Sequence, residues 1–101
     1  MSVIVDFSIY PMDKGDQSLS PYVARAIDTI RKSGLSYKLG PMGTAIEGEW
    51  DQIMAVVDKC YRDLEPDSDR LFINLKVDSK KGRENGLSGK IASVEEKTTT
   101  P

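Results

Sequence analysis

The chain has 101 residues, 39% of them hydrophobic and 30% charged, which is enough for one hydrophobic core and too little for two. Fourteen basic against sixteen acidic side chains give a formal net charge of -2, and no run of Lys or Arg is long enough to track a phosphate backbone, which argues against a nucleic-acid partner. Histidine is absent and Cys60 is the one cysteine, so histidine-based triads, zinc sites and internal disulfides are excluded.

The first segment, "MSVIVDFSIY", alternates Val3, Val5, Phe7 and Ile9 on one side with Ile4, Asp6, Ser8 and Tyr10 on the other, the period of a strand with one apolar face. It carries no basic leader ahead of a cleavable apolar stretch, and apolar runs elsewhere are short, so neither membrane insertion nor secretion is indicated and a cytoplasmic location is expected. After the turn-rich "DKGDQSLS", Ser20-Pro21 reads as an N-cap followed by proline in the first turn. Tyr22, Val23, Ala26, Ile27 and Ile30 then recur at helical spacing, with Arg31 and Lys32 in the last turn and Gly34 as C-terminal stop.

Two short strands, "LSYKLG" and "GTAIEG", flank Pro41-Met42 as a hairpin. From about Glu49 to Leu64 the stripe Trp50, Ile53, Met54, Val57, Cys60, Tyr61 and Leu64 predicts a second amphipathic helix, stopped by Pro66. Cys60 on that stripe is expected to fill the core, not to act as a nucleophile. "RLFINLKV" alternates again as a strand, "DSKKGRENG" reads as a polar loop, and Leu87, Ile91 and Val94 mark a weak tail helix. Residues 1–97 are expected to form the domain and residues 98–101 a frayed tail.

The order strand, helix, strand, strand, helix, strand is the split βαβ pattern of an α+β ferredoxin-like domain, βαββαβ, with both helices on one face of a four-stranded antiparallel sheet. The first and last strands are expected to be central neighbours. Ile4, Asp6, Ser8, Tyr10, Phe72, Asn74 and Lys76 should then share a bare face, too apolar to be wholly solvated, that meets another subunit.

The block "YKLGPMGTAIEGEW" carries three glycines, a proline, a threonine and two glutamates where a plain hairpin would suffice. One reading is a ligand pocket: Gly40 and Gly43 permit close approach, Thr44 offers a hydroxyl and Glu47 a carboxylate. The other is a tight hairpin whose glycines take positive φ, with Glu47 and Glu49 lending negative charge to the following helix. Asp6, Ser8 and Asn74 could form a polar interface network or contact a ligand, and Tyr10, Tyr37 and Phe72 could stack on a heterocycle or simply pack. Asp67, Asp69 and Asp78 lack the regular oxygen spacing of a dedicated cation site.

The segments "DFSIYP", "SPYVARAID", "YKLGPMGTAIEGEWDQI", "INLKVD" and "GKIASVE" together resemble the small thiamine-binding protein family, related to the YkoF-like hydroxymethylpyrimidine-binding proteins, over nearly the whole chain. The resemblance implies a ferredoxin-like fold, homodimers pairing into tetramers, and non-catalytic binding of thiamine or its pyrimidine precursor with no separate cofactor. It also implies Ser8, Tyr37, Met42, Gly43, Thr44, Glu47 and Asn74 as ligand-binding residues. Two other classes compete with this expectation. One is an oligomerisation module without a small-molecule ligand; the other is an enzyme using Glu47 or Asp6 as general base, which requires burial to raise the carboxylate pKa.

Overall fold

A computed structural model describes residues 2–82 together with Val94. Apart from Val94, the expected tail helix and the tail itself lie outside the described residues. The elements are β1 (Ser2–Pro11), α1 (Ser20–Lys32), β2 (Ser36–Leu39), β3 (Thr44–Gly48), α2 (Trp50–Leu64), a single 3-10 turn (Glu65–Asp67) and β4 (Leu71–Lys80). The strands form one sheet in the order β2-β3-β1-β4, every neighbouring pair antiparallel. This is the ferredoxin-like arrangement expected from the element order. One part of that expectation is corrected: β1 and β4 are neighbours, but the central strands are β1 and β3. The crossover through α2 carries the chain from β3 past β1, which leaves β4 at an edge.

The alternation in β1 puts Val3, Val5, Phe7 and Ile9 under the helices, where they meet Ile46 of β3, Ala26 and Ile30 of α1, and Ile53, Val56, Cys60 and Leu64 of α2. The helices lie over β1, β2 and β3, so the helix-side residues Ile73, Leu75 and Val77 of β4 stay partly exposed. Helix α1 begins one residue earlier than predicted. Leu19 occupies the cap position and Ser20 belongs to the first turn, its N–H donating to Ser18 Oγ at 3.3 Å. Gly34 follows the helix with φ 79°, the left-handed conformation that favours glycine after a helix end. At the start of α2 the Glu49 N–H donates to Gln52 Oε1 at 3.0 Å, closing half of a capping box. Strand β4 continues to Lys80, through residues predicted as loop, because Ser2 and Val3 extend β1 far enough to pair with Lys80 and Ser79.

On the face away from the helices the register sets Asp6 opposite Lys76, Ser8 opposite Asn74 and Tyr10 opposite Phe72. The Tyr10 and Phe72 rings stack on each other, centroids 5.6 Å apart, which is the packing role open to them in sequence. That face is bare only in part, however. Ile4 and its cross-strand neighbour Glu47 are each 8% exposed, and Glu47 accepts a hydrogen bond from Ser2 Oγ.

Polar contacts tie the two helices and the connecting loops together. Arg25 of α1 donates from Nε to Asp63 Oδ2 at 3.0 Å, from Nη1 to Asp67 Oδ2 at 2.8 Å and from Nη2 to the Asp63 carbonyl at 2.6 Å. Both carboxylates hold the guanidinium in its charged form, raising its pKa. Lys14 Nζ donates to the Asp67 carbonyl, and the Asp69 N–H donates to Asp13 Oδ2 at 2.8 Å.

Truncating Ile46, which is fully buried, should cost about 2–5 kcal/mol of stability, read as a lowered urea midpoint for Ile46→Ala. The Asp69 N–H, assisted by Lys14, holds the Asp13 carboxyl below its ordinary 3.8. A depressed carboxyl contributes stability that is present above its unfolded pKa and lost as pH falls through the folded one. The stability difference between wild type and Asp13→Ala should therefore be constant well above pH 3.8 and shrink below it, as thermal melts along an acid series would record.

Candidate functional site

Strand β3 begins at Thr44, opposite Phe7. The rest of β1, Ser8 to Pro11, runs on beyond it, and the β2–β3 hairpin tip folds at the gap. The result is a cleft of about 330 Å3 walled by Phe7 to Tyr10 of β1, by Val23, Ala26, Ile27 and Ile30 of α1, and by Leu39 to Thr44 of the hairpin. Its volume lies at the lower end of the range for small-molecule sites, about 300–1,000 Å3.

The hairpin glycines are explained by close approach. Neither Gly40 nor Gly43 is among the positive-φ glycines, which removes the plain-hairpin reason for them. A Cβ on Gly40 would lie 2.8 Å from the Gly43 carbonyl oxygen, which accepts the Gly40 N–H at 2.9 Å across the tip. A Cβ on Gly43 would lie 2.8 Å from Asp6 Oδ1 and 3.4 Å from the Phe7 carbonyl oxygen. The tip thus folds against its own backbone and against β1 with no room for a side chain at either glycine.

Of the seven residues singled out in sequence, Ser8, Met42, Gly43 and Thr44 line this cleft. Thr44 is buried, while Met42 is 90% exposed. Tyr37 lies in an adjoining groove with Leu39, Asp28 and Arg31, because its register opposite Ile46 turns it to the helix side one turn of pleat away from the cleft. Glu47 pairs with Ile4 on the opposite sheet face, and Asn74 sits across from Ser8 on β4; neither lines the cleft or the groove. Sequence reasoning missed Ile9, Leu19 and the α1 stripe Val23 and Ile27 as wall residues. Periodicity marked Ile9, Val23 and Ile27 only as core, and Leu19 fell in a segment read as a turn.

No charged side chain lines the cleft. In the adjoining groove Asp28 is held below the ordinary carboxylate range by Lys32 and Arg31, whose nitrogens approach it at 2.8 and 2.5 Å. Cys60 is fully buried, its Sγ 3.7 Å from the Ala26 carbonyl, and burial together with Asp63 pushes the thiol up to about 11. It is protonated at neutral pH and packs as core. Among the described residues no helix is long and apolar enough to cross a membrane.

Fold and cleft together define an α+β ferredoxin-like domain with a small-molecule-sized, apolar pocket at the end of its central strand. The chain belongs to the thiamine-binding protein family, whose model matches residues 5–95. It is 34% identical over 94 residues to a UPF0045 protein of Methanocaldococcus jannaschii, covering 93% of each chain. The crystal structure of that protein superimposes with a TM-score of 0.85, covering 94% of this chain and 97% of the other. A Thermotoga maritima structure, put forward as a thiamine biosynthesis or salvage protein, gives a TM-score of 0.82 at 31% identity, covering 93% and 99% of the two chains.

The two glycines should respond differently to alanine. Gly40→Ala drives a methyl into backbone and should lower the melting temperature and distort the cleft. Gly43→Ala meets first a carboxylate that can rotate aside, so its melting temperature should fall less. Thermal melts of both variants would check the order.

Proposed function

We propose that this protein binds thiamine, or its hydroxymethylpyrimidine moiety, without transforming it, as a carrier, buffer or sensor in cytoplasmic vitamin metabolism. Family membership supports the ligand class. The observation that carries the reading is the cleft itself: apolar walls wide enough for a planar ring, with Thr44, on the helix side of the sheet opposite Phe7, supplying a hydroxyl among its lining residues. An aminopyrimidine is flat, neutral and rich in edge donors and acceptors, which suits such walls. The thiazolium carries a permanent charge that an uncharged lining would not compensate. In this reading it projects past Met42 toward solvent while the pyrimidine is enclosed.

Binding without catalysis is supported by where the carboxylates lie. Glu47 and Asp6, the two candidates for a general base, belong to the sheet face away from the helices. Neither lines the cleft, where a general base would have to meet the ring.

A second reading, an oligomerisation module, is favoured by β4, an edge strand that exposes Phe72, Ile73, Leu75 and Val77. Such an edge invites pairing with another chain, and assembly as a homo-oligomer, a dimer of dimers, is part of the proposal. The two readings separate on ligand binding. Calorimetry should show saturable heat with thiamine or hydroxymethylpyrimidine. Thr44→Val, which removes a hydroxyl at nearly constant volume, should weaken binding by about threefold to tenfold with the native mass unchanged. No binding of either ligand by the wild type would leave only the module.

A further inference from the structure

One hydrogen bond fixes the direction of every peptide group in β1. The Met12 N–H donates to the Arg70 carbonyl at 2.7 Å, and residues along an antiparallel strand alternate between the two neighbouring strands in where their N–H and C=O point. Tyr10, Ser8 and Asp6 therefore turn both groups toward β4, opposite Phe72, Asn74 and Lys76. Val3, Val5 and Phe7 turn theirs toward β3, opposite Gly48, Ile46 and Thr44. The Phe7 carbonyl oxygen lies against Gly43, in keeping with this phase.

The next residue in that phase is Ile9. Continuing the register would pair it with Met42, but Met42 sits in the hairpin tip, outside β3 and almost fully exposed. The Ile9 N–H and C=O are thus aimed into the cleft, whose wall Ile9 forms. The residue is 3% exposed, and the β1–β3 pairing ends at Phe7 and Thr44 with no loop residue described as bonding to Ile9 in its place. Buried peptide groups are nearly always hydrogen-bonded, and leaving a donor and an acceptor unmatched is costly.

Resting on the reading of the cleft as a pyrimidine site, we infer that the Ile9 peptide groups determine ligand specificity. They recognise a planar heterocycle whose edge presents a ring-nitrogen acceptor beside an amino donor. In an extended residue the N–H and C=O project side by side from one strand edge, offering a donor next to an acceptor. A 4-aminopyrimidine offers the complementary pair. The ring nitrogen accepts the Ile9 N–H, the amino group donates to the Ile9 carbonyl, and the ring occupies the ladder position that Met42 vacates. The uncharged walls from α1 and the hairpin cover its faces. Thr44 adds a hydroxyl and the other side chains contribute shape; the strand backbone reads the edge.

The test uses the full chain, isotope-labelled, titrated with hydroxymethylpyrimidine and with the same pyrimidine carrying a methyl in place of the amino group. The Ile9 amide proton should shift downfield and exchange more slowly with solvent on binding, while the Val5 amide, already paired with Ile46, stays unmoved. The methyl analogue should bind at least about tenfold more weakly. Saturable binding of hydroxymethylpyrimidine with an unmoved Ile9 amide, or equal affinity for the two pyrimidines, would overturn this inference and leave pyrimidine binding standing. Absence of any binding would overturn both.

Discussion

The structure depends on a mismatch of length between two paired strands. β1 has ten residues and is matched along its whole length by β4, whereas β3 has five and stops opposite Phe7. A sheet whose central strand is paired on both edges throughout would be closed. Here the outer half of β1 is paired on one edge only, and the space on the other edge is bounded by α1 above and the hairpin tip beside it. The cleft is what remains of a strand pairing that the chain does not complete. Its walls are apolar because they are continuous with the core that holds the helices on the sheet.

The hairpin keeps that space open and defined. Gly40 and Gly43 allow the tip to close on itself by one N–H to carbonyl bond and to rest against Asp6 and Phe7. Charge is kept out by alternation. Residues adjacent in sequence fall on opposite faces of the sheet, so Thr44 and Ile46 face the helices while Glu47 faces the other way with Ile4 and Ser2. A lining built this way offers an ionic group no partner of opposite charge.

Most of the architecture was legible in the sequence because its signals are independent of one another: period two in β1, period three to four in both helices, glycine and proline between them. Strand order was less so. Periodicity shows that "RLFINLKV" is a strand, but only the path of the crossover decides that it lies at an edge, and only its partner's length decides that it continues to Lys80. The glycine-dense block flagged the right hairpin with Gly40, Gly43 and Thr44, and the family resemblance added Ser8 and Met42. Glu47 was grouped with them because closeness in sequence conceals the alternation that turns it to the other face, and Tyr37 because it conceals the step along the strand that sets it in the adjoining groove. Ile9 was not legible as a site residue at all. Its side chain reads as core, and what it presents to the cleft is its peptide group, which every residue possesses and no sequence pattern marks.

The contacts of Arg25 have a mechanical consequence. By gripping Asp63 and Asp67 together it fastens the first helix to the second and to the turn that follows. The hairpin tip is fastened only to itself and to the rim of β1. The cleft therefore lies between two walls braced by different means, side-chain ion pairs behind the helix and a backbone bond across the hairpin tip.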